Sequence, residues 1–311
     1  MSSYGLREVH SGEDAKVDII FLHGLRGEIE QTWTKDGVFW PKDLLPSDVP
    51  ESRIFVFGYD ANILSHDQSG ATKTEIHSDA EDICAKLAAK RLETNTVSDS
   101  EILTAGQSDR PIIFVAHSLG GLIAAQALVH GERRTGNSNA TSVTKHLRGM
   151  IFLGTPFRGS SIAKLAEIAR RVLDFFKVDT QQHTLKLLGV NSERLDELLK
   201  AFSDILYKRR QSAKSEDQLE VFFFYETLRT WVGVRSIQIV EAESAFLPGC
   251  GEASPIRADH IGICKFNAIE DEGYGVVVAA IRKVMLPTDT APSQRIAYIY
   301  LYDRITKPSM C

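Results

Sequence analysis

The passage Ile112-Ile113-Phe114-Val115-Ala116-His117-Ser118-Leu119-Gly120-Gly121 carries the strongest chemical signal in the chain. An uninterrupted apolar run enters a small-x-Ser-x-Gly turn, and helix-forming residues follow at once. That context lifts a serine hydroxyl above the end of a sheet, at the start of a helix whose dipole favours developing negative charge. Small residues are needed two before and two after the serine, because the turn is tight. Gly120 meets the second requirement, and Ala116 stands where glycine is commoner. Ser118 is therefore the candidate nucleophile.

A serine needs a base, and histidine is the side chain that serves near neutral pH. In this arrangement the acid and then the base follow the serine, each after a later strand. Four histidines follow Ser118: His130, His146, His183 and His260. Only His260, in Ala258-Asp259-His260-Ile261-Gly262, lies in a loop beyond the last expected strand and before a closing helix, so it is the candidate base. Glu226, in Phe224-Tyr225-Glu226-Thr227, ends the second strand after the serine and is the candidate acid. Glu241 is the alternative acid, with Glu243 and Asp259 as further competitors. The oxyanion donors expected are the backbone N–H of Leu119 and that of Leu25, in Leu22-His23-Gly24-Leu25. His23, beside the glycine turn, reads as a structural hydrogen-bonding residue.

Positioning these groups requires a mostly parallel sheet flanked by helices. Strands are predicted at Val17–Leu22, Ile54–Gly58, Pro111–Ala116, Gly149–Leu153, Leu219–Tyr225 and Ser236–Val240. Helices are predicted at Thr74–Leu92, Leu119–Val129 and Glu272–Met285. The polar stretches Glu93–Asp109 and Gly131–His146 read as loops. Within the latter, Gly131–Ser138 is a near miss to a phosphate-binding loop, with Asn137 where lysine should stand, so no nucleotide site is expected. Between residues 157 and 215 two helical stretches, Ser161–Val178 and Ser192–Tyr207, form an insertion. The second carries Leu195, Leu198, Leu199, Phe202, Ile205 and Leu206 on one stripe, which either packs on the domain or serves as a cap over a cleft. The domain is expected to span residues 1–286, followed by a linker-like tail, 287–311.

Composition bounds the rest. With 36 Lys+Arg against 41 Asp+Glu the net charge is −5, which provides no footprint for nucleic acid. Cys84, Cys250, Cys264 and Cys311 have neither CxxC nor zinc spacing and read as reduced thiols inside a cell. No secretion signal or spanning segment is visible, peripheral membrane contact stays open, and neither a metal nor an organic cofactor is expected.

His23-Gly24-Leu25, the Ala116–Gly120 turn and Gly154-Thr155-Pro156 together resemble a lipase-type α/β-hydrolase. More narrowly, Phe152–Ser160, Tyr225-Glu226-Thr227, Glu243-Ser244-Ala245 and Ala258–Phe266 resemble the serine-active-site-containing protein family. They are also similar to hydrolase domains at the N-terminus of fungal NACHT-type receptor-like proteins. The resemblance implies an α/β-hydrolase fold, ester or lipid hydrolysis, and association of some members with mitochondria or endoplasmic reticulum. It also implies Glu226 as the acid. Residues and resemblance together lead to the expectation of a Ser118–His260–Glu226 esterase for hydrophobic acyl esters. The alternative is a signalling or interaction module built on the same shell.

Overall fold

The computed structural model describes residues 4–24, 28–59, 75–93, 110–136, 138–157, 167–168, 170–171, 192–212, 214 and 217–286. Besides a two-residue pairing of Thr34–Lys35 with Val38–Phe39, the strands are β1 (Gly5–Ser11), β2 (Val17–Leu22), β3 (Ser52–Gly58), β4 (Ile112–His117), β5 (Leu147–Leu153), β6 (Glu220–Glu226), β7 (Thr230–Val232), β8 (Arg235–Ile237) and β9 (Glu252–Ile256). A seven-stranded sheet runs β1-β3-β2-β4-β5-β6-β9. All neighbours in it are parallel except β1, which pairs antiparallel with β3 at one edge. The long helices are α1 (Glu75–Glu93), α2 (Gly120–Arg133), α3 (Asn139–His146), α4 (Ser192–Arg210) and α5 (Glu272–Met285).

The central strands are apolar without a polar face because both of their faces are covered. Along β2, Ile20 and Leu22 point into a layer shared with α1, α2 and α3. Val17, Ile19 and Phe21 point into the opposite layer, with Trp33, Trp40 and the α5 residues Val277 and Ile281. A register that places Leu22 beside Ala116, and Ala116 beside Phe152, brings the carboxyl ends of β2, β4 and β5 level. In open parallel sheets that edge is where sites form.

Several elements differ from those read in the sequence. Gly131–His146 is not a loop: α2 continues to Arg133 and α3 begins at Asn139. Ser138 caps α3 by accepting from the Thr141 amide at 3.2 Å, and short polar helices of this kind escape an apolar-period test. Ser236–Val240 is not a strand of the main sheet. Arg235–Ile237 pairs only with Thr230–Val232, as a hairpin. The last strand of the sheet is β9, Glu-Ala-Ser-Pro-Ile, whose Pro255 is tolerated because β9 is an edge. The stripe of α4 is spent on the domain: Leu198, Phe202 and Leu206 are buried in the main core, and Phe202 stacks on Phe157 with ring centroids 5.6 Å apart. Packing on the domain is thus what these residues do, within the insertion between β5 and β6. Most of Ser161–Val178, all of the 287–311 tail, and Cys311 lie outside the described residues.

At the amino ends of the strands a single carboxylate holds the sheet, a helix and a loop together. Asp18 on β2 is fully buried and accepts from Arg53 Nε at 2.8 Å and Arg53 Nη2 at 3.1 Å. Arg91, near the end of α1, also donates to Asp18, and the Arg110 Nε lies 3.1 Å away. Removing the carboxylate would leave these guanidinium charges buried together. Asp18→Asn is expected to lower the unfolding free energy by about 3–5 kcal/mol, read from urea denaturation; a change of a few tenths would remove this cluster from the fold's supports.

Candidate active site

Ser118 sits in the turn from β4 to α2 with φ 52, a left-handed conformation that a non-glycine residue adopts only under constraint. The turn is pinned on both sides. The Ser118 amide donates to Leu153 O at 2.9 Å, and the Gly121 amide donates to Ser118 O at 3.0 Å. At Gly120 a Cβ would stand 2.2 Å from the His23 carbonyl oxygen, so the small residue two after the serine is required by backbone approach from β2. Ala116 faces a packed layer in which its methyl finds room, which explains how alanine replaces glycine there.

His260 lies in the loop after β9. Its Nε2 is 2.9 Å from Ser118 Oγ, and its Nδ1 is 2.8 Å from Glu226 Oε2. The three residues are each 1–2% exposed. With the Nδ1 proton on the side that Glu226 accepts, Nε2 is left to take the serine hydroxyl's proton. The second oxygen of Glu226 is also engaged: Val240 N donates to Oε1 at 2.8 Å. The carboxylate is therefore held at both oxygens while it holds the ring. Gly154, with φ 60, passes beside this pair; a Cβ there would stand 3.2 Å from both Glu226 Oε2 and His260 Nδ1.

Of the sequence candidates, the structure brings together Ser118, His260 and Glu226, with Leu119 directly after the serine. Leu25 lies outside the described residues. Glu241 and Glu243 are exposed, and Asp259 instead accepts from the Gly262 amide at 2.7 Å. His130 is on α2, His146 donates to Ser142 O from the end of α3, and His183 is not among the described residues. Two supports were not read from sequence. His117 Nε2 donates to the His260 carbonyl at 2.9 Å, and the Thr230 hydroxyl accepts from the His260 amide at 3.2 Å. Adjacency to Ser118 could have pointed to His117; nothing in the sequence links Thr230 to a residue thirty positions later.

Burial sets the protonation of the neighbouring rings. Burial holds His117 well below the ordinary histidine range, so it remains a neutral donor. His23 is lowered to about 4 by burial; it donates to Gly24 O at 3.0 Å and stacks on Tyr59, whose hydroxyl donates to the His23 carbonyl. His23 thus has the structural hydrogen bonds read for it. Burial likewise pushes the thiols of Cys84 and Cys264 up to about 12, so they are weak nucleophiles. Among the described residues one group of potential metal ligands comes together, His77, Glu81 and His130, away from Ser118. Arg134 also pairs with Glu81, at 3.3 Å, so the group reads as an ion-pair network.

A histidine kept neutral by the fold binds a proton more weakly than it does in the unfolded chain. Stability therefore falls as the pH drops. For His23 the loss begins below the ordinary value of 6.5 and is complete near 4. In urea titrations at a series of pH values His23 alone should contribute roughly 1.4 kcal/mol lost per pH unit in that window, beside the share of His117, and His23→Gln should flatten its part of the slope. An unchanged slope in that variant would place the proton uptake elsewhere.

Comparison with known proteins supplies the family. A model of the family described as "Putative serine esterase (DUF676)" matches residues 16–240, which include Ser118 and Glu226. The chain is 28% identical to protein SERAC1 of Bos taurus over 279 residues, and 26% identical to that of Homo sapiens over 277. In both cases 83% of this chain is covered and only 37% of the relative, so the chain spans little more than a third of these curated proteins. Among solved structures, a Pyrococcus furiosus esterase is 14% identical with a TM-score of 0.46, covering 91% of this chain and 92% of its own. MenH from S. aureus is 12% identical with a TM-score of 0.44, covering 91% and 99%. Since the family model spans well over half of its length, this chain belongs to the family described as "Putative serine esterase (DUF676)".

Proposed function

We propose that the chain hydrolyses hydrophobic acyl esters through a Ser118–His260–Glu226 triad. The observation that carries the reading is the buried hydrogen-bond chain of 2.9 and 2.8 Å from Ser118 Oγ through His260 to Glu226. Ser118 Oγ attacks the ester carbonyl carbon while His260 Nε2 takes the hydroxyl proton. Glu226 steadies the imidazolium that results. The oxyanion is received by the backbone N–H groups of Leu119 and Leu25. Collapse of the tetrahedral intermediate breaks the bond to the alcohol oxygen, which leaves with the proton from His260. Water, deprotonated by the same ring, then attacks the acyl-serine and releases the acid.

The preference for an apolar acyl group is supported by what surrounds the serine. Leu119, Tyr225 and Ile237 pack on a cluster of Ile168, Ile239, Val240 and Ala245, beside the residues that bear the chemistry. An apolar wall there offers an acyl chain burial at roughly 0.8 kcal/mol per methylene.

A fluorophosphonate probe is expected to label the native chain and to lose its target in Ser118→Ala; labelling that persists would assign the nucleophile elsewhere. Glu226→Gln is expected to lower kcat on a soluble ester by about 10³–10⁴, and Glu241→Gln to leave it within about twofold. A larger loss in the second variant would exchange the two carboxylates' roles.

A further inference from the structure

The hairpin β7–β8 is tied to the site at both of its feet, while its tip is left in solvent. At one foot Thr230, fully buried, accepts from the His260 amide. At the other, Gln238 Nε2 donates to Glu226 O at 3.1 Å and Val240 N to Glu226 Oε1 at 2.8 Å. Between them Arg235 pairs with Val232, Ser236 with Trp231 and Ile237 with Thr230. The turn falls at Gly233-Val234, where Gly233 adopts φ 62, a residue type and conformation that suit a two-residue hairpin loop. A hairpin this short is marginal by itself, so its feet supply its order.

The tip presents side chains that folding does not require. Val234 is 93% exposed, Trp231 68% and Leu228 45%. Arg229 and Arg235 are exposed beside them. From Thr227 to Val240 the chain has these two arginines and no acid, although the whole protein carries −5. Arg257 stands exposed nearby, lining with Arg229 and Trp231 a groove of about 1130 Å³ on the outer side of the His260 loop. None of Ser118, His260 and Glu226 lines that groove, so it is not where the acyl group reacts. The groove's acids are Asp259, Asp271 and Glu272; Asp259 caps the loop and Asp271 pairs with Lys35 at 3.4 Å.

An indole and an aliphatic side chain at the tip, flanked by guanidiniums, match the chemistry of an anionic bilayer surface. Tryptophan prefers the headgroup level, where its ring is half solvated, and arginine gains from the negative surface potential. We propose that this hairpin is the contact by which the protein seats on anionic lipid, holding the Ser118 site at a fixed reach from the surface that carries its ester. The proposal deepens the ester-hydrolase reading, and its test reads binding apart from catalysis.

The three tryptophans make that test direct, because Trp33 and Trp40 are fully buried and Trp231 is the exposed one. Tryptophan emission and co-sedimentation are measured with vesicles of phosphatidylcholine alone and with added phosphatidylserine. Emission is expected to shift to the blue, and protein to sediment, only with the anionic vesicles, with added salt reversing both. Trp231→Ala/Val234→Ser should abolish the shift and lower partitioning roughly tenfold or more, and Arg229→Gln/Arg235→Gln should lower partitioning by a similar factor. Both double variants should hydrolyse a soluble short-chain ester as the native chain does, and Ser118→Ala should bind vesicles normally. Native protein that ignores anionic vesicles at low salt would overturn the proposal. So would a Trp231→Ala/Val234→Ser variant that partitions unchanged, or equal binding to phosphatidylcholine alone.

Discussion

The left-handed turn at Ser118 constrains nearly everything around it. Such a conformation costs on the order of 1–3 kcal/mol in a non-glycine residue and persists only when its surroundings over-determine it. Here the backbone of β5 accepts the Ser118 amide, the first turn of α2 receives its carbonyl, and β2 passes so close that residue 120 must lack a Cβ. All three depend on the level carboxyl ends of β2, β4 and β5. What the strain provides is position: the hydroxyl stands 2.9 Å from a ring that arrives from the far end of the sheet.

His260 is in turn held, at its ring or its backbone, by groups from three separate segments. Glu226 comes from β6, Thr230 from the hairpin, His117 from β4, and Val240 holds the carboxylate itself. In a site this buried, each unpaired polar atom would cost about 1–3 kcal/mol, so the contacts support one another. Neutral, buried His117 is the donor that orients the His260 backbone without adding a charge next to the His260 ring. The two carboxylate oxygens of Glu226 divide the work, one toward the ring and one toward the hairpin's foot.

The molecule separates its polar clusters by sheet edge. The Ser118 site lies at the carboxyl ends of the strands, while Asp18 gathers Arg53, Arg91 and Arg110 at the amino ends. The two ends share only the apolar strands between them. The first group is arranged around the Ser118 hydroxyl, and the second around one carboxylate that fixes strand ends, a helix and a loop.

Much of this was legible from sequence because local rules decide it. An apolar strand, a turn of small residues and a helix start leave Ser118 few alternatives, and chain order points to His260 and favours Glu226 over Glu241. What tertiary structure alone decided involves residues whose meaning depends on distant partners. The polar, proline-containing β9 is a strand only because β6 offers it an edge, and the α4 stripe enters the main core because Phe157 and Phe152 meet it. Thr230 becomes a support for His260 because a hairpin thirty residues upstream folds back on the loop. Hydrophobic period records that a face will be buried, but not against what; long-range hydrogen bonds leave no period at all.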